Sequence, residues 1–375
     1  MRQGSNTNLK LSENFVRLNL PSAFAVSASA LLITCSLTPS NAGARTTHAA
    51  RFAAVHAKAA TAAQYPSFGV AVFARGSASL YNPDGIVVTK HAVFVDYQNE
   101  SDTKPKPSTI VKYDFSGHIV GAVNINGRCD GMRLNPSTHK LWALVNNDGL
   151  NGMPARQPAL YVIDPKTMQA THYAFASSTQ PHGGGYDDLA FIGGKAYFSA
   201  SAPTLTSAGV NKNQIAVEAD IRGGKVEVAP IAYGNLGGLV NIADPDSLAV
   251  DNAQDLVIVS EGDGQLVTVR NPQTKYQTQS SIHTGSQLDD VAFTTGTSGT
   301  LFVADSTLNR IYKIASAFPT GTVFAEAPLG APAQSFIGTL DTTTGIVTPL
   351  LTVHDGILDP TSLIFVPTSG GQDDS

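Results

Sequence analysis

From about residue 65 the chain alternates short apolar runs with clusters of turn residues. Typical runs are Val93-Phe94-Val95, Leu141-Trp142-Ala143-Leu144-Val145 and Leu256-Val257-Ile258-Val259. Runs this short, bounded by Gly, Pro, Asn and Asp, predict strands and not helices. One pattern returns six times, always a polar start, a small or acidic residue, then an apolar strand. Its copies are Pro83-Asp84-Gly85-Ile86, Cys129-Asp130-Gly131-Met132, Tyr186-Asp187-Asp188-Leu189, Pro245-Asp246-Ser247-Leu248, Leu288-Asp289-Asp290-Val291 and Pro360-Thr361-Ser362-Leu363. The steps between them are 46, 57, 59, 43 and 72 residues.

Each of the first five copies is followed by a second strand, over residues 92–96, 141–145, 196–200, 256–260 and 301–304. Third strands end at Asp or Asn before a turn, as at Asp114, Asp164, Asp220, Asn271 and Asp341. A fourth strand follows, for example over residues 169–175. Four short antiparallel strands per repeat, at a period above about 40 residues, predict the blades of a β-propeller. The expected fold is therefore all-β: a six-bladed β-propeller over residues 65–367, with four-stranded antiparallel blades. The N- and C-terminal strands, residues 68–73 and 363–366, are expected to lie side by side and close the ring, hiding the sheet edges. The closing blade is thin in the sequence, so counts of five or seven stay open. The 72-residue step reads as one blade plus an insertion around residues 319–334.

Composition agrees with this pattern. Charged residues are 14% of the 375, against about 25% in an average soluble protein. The acids are 23 Asp and 6 Glu, and Asp is a turn former. A formal net charge of −5 gives no electrostatic footprint for nucleic acid. Two cysteines, Cys35 and Cys129, exclude a disulfide framework and a zinc cluster.

Pro83-Asp84-Gly85-Ile86 followed by Ala92-Val93-Phe94-Val95-Asp96 resembles the NHL-type repeat of six-bladed propellers. Asp130-Gly131-Met132 with Lys140-Leu141-Trp142 resembles the senescence-marker/gluconolactonase family. Both likenesses are spread over roughly residues 81–366. In that family, residues at the Asp130 register ligate a catalytic divalent cation. The resemblance thus implies Asp130 first, then Asp84, then Asp246. The chain departs from the family in lacking an early Glu-Gly-Pro and any Asn-Gly-Leu first strand, so two of the family's metal ligands are missing.

Independently of any family, Asp84, Asp130, Asp187, Asp246 and Asp289 share one register, with Thr361 in the sixth place. Equivalent positions in a propeller form a ring around the tunnel mouth. Converging carboxylates repel and lose hydration, so protons or a cation must neutralise them. Oxygen ligands suit Ca²⁺, Mg²⁺ or Mn²⁺. The rival reading is turn capping by Asp just before a strand. His182 and His283 precede first strands on loops expected to lead to the same mouth, the position of a general base beside metal-bound water. Arg128 and Arg133 flank Asp130 and are expected to pair with it or with an anionic ligand. His182-Gly183-Gly184-Gly185 reads as a flexible loop. Two classes survive: a binding propeller that takes a small molecule, sugar or extracellular protein at its mouth, and a divalent-metal-dependent hydrolase of a lactone or ester.

Arg2, Lys10 and Arg17 precede an uncharged stretch over residues 18–37, then Ala42-Gly43-Ala44. This is the order of a secretory signal peptide over residues 1–44, followed by an Ala-rich linker at 45–64 and a tail at 368–375. The expected product is a secreted or periplasmic monomer, with no membrane segment after cleavage. N-terminal sequencing of exported material is expected to start near Arg45; recovery of Met1 in a membrane fraction would overturn this.

Overall fold

The computed structural model describes residues 68–99, 106–146, 157–235, 241–327 and 335–368. The signal peptide, the whole linker and all of the tail but Thr368 lie outside them. Strand β1 (Gly69–Arg75) leads into a first sheet of β2 (Pro83–Val88), β3 (Val93–Tyr97), β4 (Ser108–Tyr113) and β5 (Ile119–Ile125). The second sheet holds β6 (Cys129–Asn135), β7 (Lys140–Val145), β8 (Ala159–Ile163) and β9 (Ala170–Ala174). The third holds β10 (Leu189–Ile192), β11 (Lys195–Ser199), β12 (Gln214–Arg222) and β13 (Lys225–Tyr233). The fourth holds β14 (Pro245–Val250), β15 (Leu256–Ser260), β16 (Gln265–Arg270) and β17 (Thr278–His283). Every pairing is antiparallel.

The last two sheets are interleaved. β18 (Val291–Phe293) opens the fifth, but the chain then builds β19 (Ser298–Asp305) and β20 (Arg310–Ala317) in the sixth. It returns to the fifth for β21 (Val323–Ala327), β22 (Phe336–Leu340) and β23 (Val347–Thr352). A 3₁₀ turn (Val353–Asp355) leads to β24 (Pro360–Pro367), which completes the sixth in the order β24-β19-β20-β1. Neighbouring first strands contact one another from β2 through β6, β10, β14, β18 and β24 back to β2. The ring is closed, and the fold is a six-bladed propeller of four-stranded blades.

Two expectations need correcting. The 72-residue step is long because two strands of the sixth blade sit inside the fifth, and residues 323–327, read as part of an insertion, form β21, while residues 328–334 lie outside the described residues. Residues 301–304 therefore belong to β19, and β21 is the second strand of the fifth blade. The terminal strands do share a sheet, but β1 pairs with β20 on its outer edge and β24 with β19 on its inner edge. The N-terminal strand covers the outside and the C-terminal strand faces the axis.

The second strands are apolar on both sides because both sides are covered. Val93, Val95 and Tyr97 pack with Phe73 and Phe302 of the sixth blade, while Phe94 packs with Met132 and Leu134 of the second. The outer strand β5 is mostly exposed, as its Gly-Ala-Asn content allows. No helix among the described residues is long and apolar enough to cross a membrane. Phe302 stacks edge-on against Phe73 at 5.3 Å between ring centroids, tying the N-terminal strand to the sixth blade. Phe302→Ala is expected to cost about 3–5 kcal/mol, read as a lower denaturant midpoint with an unchanged slope.

Candidate functional site

All five ring aspartates and Thr361 line a single cavity of about 360 Å³. The backbone explains why they reach it. The pairing of β2 with β3 gains one residue between Pro83 and Ile86; that of β6 with β7 gains one between Cys129 and Gly131. The same happens between Pro245 and Leu248 of β14, and between Pro360 and Ser362 of β24. Asp84, Asp130, Asp246 and Thr361 thus sit on β-bulges, which turn a side chain out of the ladder. The glycine after Asp130 is needed because the first strands crowd together. A Cβ on Gly131 would lie 2.5 Å from Asp188 Cα and 2.6 Å from Asp187 O.

A second set of polar residues, not anticipated from the sequence, completes the wall. Gln98, Asn146, Glu261 and Ser306 each directly follow a second strand and line the same cavity. Gln98 Nε2 donates at 2.7 Å to both Asp84 Oδ2 and Asp130 Oδ1. Asn146 Nδ2 donates to Asp130 Oδ2, and Arg128 Nε lies 3.2 Å from Asp130 Oδ1. Ser201 Oγ donates to Asp187 Oδ1 at 2.9 Å. The carboxyl groups of Asp246 and Asp289 lie side by side, and their contact raises the proton affinity of Asp246 and lowers that of Asp289. Arg133, expected beside Asp130, instead crosses to Asp188 Oδ2 at 2.7 Å and Leu248 O at 3.0 Å.

These carboxyls face the cavity yet are shielded from bulk water, so their affinity for protons rises. Burial pushes Asp84 well above the usual carboxylate range, and repulsion from Asp96 and Asp130 adds to it while Arg128 opposes. Asp246 and Asp289 are raised by burial first; Asp246 then feels Asp289, and Asp289 feels Glu326 and Glu261. Two further acids stand behind the ring on second strands. Asp96 on β3 is fully buried and raised by burial and by Asp130, with Gly85 N–H and Arg128 opposing. Glu326 on β21 is fully buried, neither of its oxygens has a partner, and burial followed by Asp290 and Asp84 raises it. The signal for both was present in the sequence: Val93-Phe94-Val95-Asp96 and Val323-Phe324-Ala325-Glu326 each carry one acid in an apolar run.

The histidines are placed elsewhere. His182 is buried against Tyr186, with Nε2 2.7 Å from Gly185 O, and burial lowers its pKa. Its three glycines form a packed turn and not a flexible loop: a Cβ on Gly184 would lie 2.0 Å from Ser201 O. His283 is exposed on the outermost strand of the fourth blade, where Nδ1 accepts from Gly285 N–H. Neither is among the cavity-lining residues. Cys129 is a buried thiol whose pKa burial and the nearby carboxylates raise.

The gluconolactonase resemblance implies a divalent cation held here by several side chains at once. Among the described residues, no three His, Cys, Asp or Glu side chains converge as a chelate requires. Gln98 bridges Asp84 and Asp130 with its amide.

No protein-family model and no curated protein sequence matches the chain. Solved structures do resemble it. A streptogramin B lyase is 13% identical, covering 76% of this chain and 88% of that one, with a TM-score of 0.42. A candidate gluconolactonase is 12% identical, covering 77% and 83%, with a TM-score of 0.46. Virginiamycin B lyase from Staphylococcus aureus, solved with quinupristin, is 10% identical, covering 76% and 74%, with a TM-score of 0.41. Likenesses this distant concern the fold, and the propeller itself rests on the six sheets and their closed ring.

The raised carboxyls carry a sign for stability. Unfolded Asp and Glu release their protons near pH 4, whereas Asp84, Asp246, Asp289 and Glu326 hold theirs to higher pH in the fold, and Asp290 holds its proton to about 6. Their contribution is complete below about pH 4 and is lost as pH rises through the folded values. In the presence of chelator the melting temperature is expected to fall between about pH 4.5 and pH 8. Glu326→Gln should flatten that fall, stabilising by roughly 1–3 kcal/mol at pH 8 and leaving pH 4.5 unchanged; a flat wild-type profile would refute the electrostatic reading.

Proposed function

We propose that the chain is a binding propeller, acting outside the cytoplasm, whose acidic mouth takes a positively charged ligand. The observation that carries this is the charge imbalance inside one cavity. Eight carboxyl groups line it, from Asp84, Asp130, Asp187, Asp188, Asp244, Asp246, Glu261 and Asp289, against the single guanidinium of Arg128. Asp188 supports the same reading, because its Oδ1 is buried with no partner. Any cation entering this space relieves repulsion that burial has made strong.

The simplest such ligand is a hard divalent cation, Ca²⁺, Mg²⁺ or Mn²⁺. Three converging carboxylates are not needed for it. Mg²⁺ commonly keeps several waters and binds through one or two carboxylates. An amine on a small molecule, sugar or partner protein would satisfy the same charge. The hydrolase alternative is not carried forward, since both histidines assigned to proton transfer lie away from the cavity.

The test is calorimetric titration with Ca²⁺, Mg²⁺ and Mn²⁺ at pH 7.5, beside melting curves with chelator. Binding at a hundredfold excess over Kd should add about 2.7 kcal/mol to stability. Asp130→Asn keeps the shape and removes the charge, so it should weaken binding and leave the fold intact. If no cation binds and chelator leaves the melting temperature unmoved, the aspartates act as caps for the strand entries.

A further inference from the structure

The tunnel has a second end. Arg133 and Asp188 close the axis midway: Asp188 lines the acidic cavity, and Arg133 lines a separate one of about 390 Å³ on the far side. This lower cavity is walled by apolar side chains of the inner strands, among them Phe191, Ala249, Val291, Phe293 and Ile364. Its volume falls within the about 300–1,000 Å³ of ordinary ligand pockets, which pair apolar walls with a few placed polar groups. Here the polar group is the Arg133 guanidinium, whose side chain keeps 22% of its surface open.

The hydrogen bonds of Arg133 define what would suit it. Nη1 donates to Met132 O at 2.9 Å, and Nη2 donates to Asp188 Oδ2 and Leu248 O. A guanidinium carries five N–H groups, so the Nε–H and one Nη1–H have no protein acceptor among the described residues. The positive charge is already matched by Asp188, and Asp290 also faces it. A carboxylate ligand would meet two acids, and an ammonium ligand would meet a guanidinium that can only donate. A neutral carbonyl accepts one of the unused N–H groups without adding charge.

We propose that the lower cavity is a binding site for a small apolar molecule bearing a neutral carbonyl, a ketone or ester, with its chain against the Phe191 and Phe293 rings and its oxygen on Arg133. The site is built by the same inner strands as the acidic mouth but shares no ligand chemistry with it, so either can fail without the other.

The experiment is a titration of the whole protein with 2-octanone followed by ligand-observed NMR, with octanoate and octylammonium as charged controls of equal chain length. The ketone is expected to bind, with both controls weaker by about tenfold or more, the worth of one hydrogen bond to a charged donor. Ala249→Trp fills the cavity and should abolish binding while leaving cation binding at the other mouth unchanged. Nuclear Overhauser contacts from the ketone chain to the Phe191 and Phe293 rings of the wild type place the ligand even if that variant fails to fold. Absence of ketone binding, equal binding of octylammonium or octanoate, retained affinity in folded Ala249→Trp, or bound ketone without those ring contacts would each overturn the proposal.

Discussion

A single side chain spans the axis on which the six blades converge. Arg133 leaves the second blade, pairs with Asp188 at the entry to the third, and reaches the backbone of the fourth at Leu248 O. Asp188 answers by accepting from Leu248 N–H, so the same carboxylate binds two blades. A buried pair of this kind adds modest net energy when intact but is costly to break from one side. Its larger effect is spatial. It divides what would be an open bore into an acidic chamber and an apolar one.

The acidic chamber depends on a backbone irregularity more than on the identity of its residues. A regular ladder would send Asp84, Asp130 and Asp246 alternately between blade faces, into packing against apolar neighbours. One extra residue per inner strand turns them toward the axis instead. Gly85 and Gly131 permit this, because the adjacent strand and its carboxylates leave no room for a Cβ. The arrangement then requires donors, and the residues following the second strands supply them: Gln98 to two acids, Asn146 to one, and Ser201 to another.

Much of this was legible in the sequence. The recurring entry to each first strand, with Ile86, Met132, Leu189, Leu248, Val291 and Leu363 in step, identified six inner strands, because symmetric blades need the same turn at the same place. The clustering of the five aspartates followed from that register. What escaped was non-local. Nothing local distinguishes Leu301-Phe302-Val303 as a strand of the neighbouring blade, since an apolar run is suited to either. The placement of His182 turned on packing against Tyr186, and that of His283 on its lying at an outer strand's end, distances that loop proximity in sequence does not measure. Glu326 was missed because its strand was assigned to an insertion.

The interleaving of the last two blades has a consequence for synthesis. The first four sheets are each made from one uninterrupted stretch, so each can form as its residues leave the ribosome. The fifth sheet is interrupted by β19 and β20, and the sixth draws its four strands from residues 69–75, 298–317 and 360–367. Neither can be completed early: the sixth lacks its inner strand until residue 367 has emerged. During translation β1 must wait for its partner until β20 emerges at residues 310–317. Ring closure is therefore the last event, and a chain stopped just before β24 holds five four-stranded sheets and a sixth that lacks its inner strand.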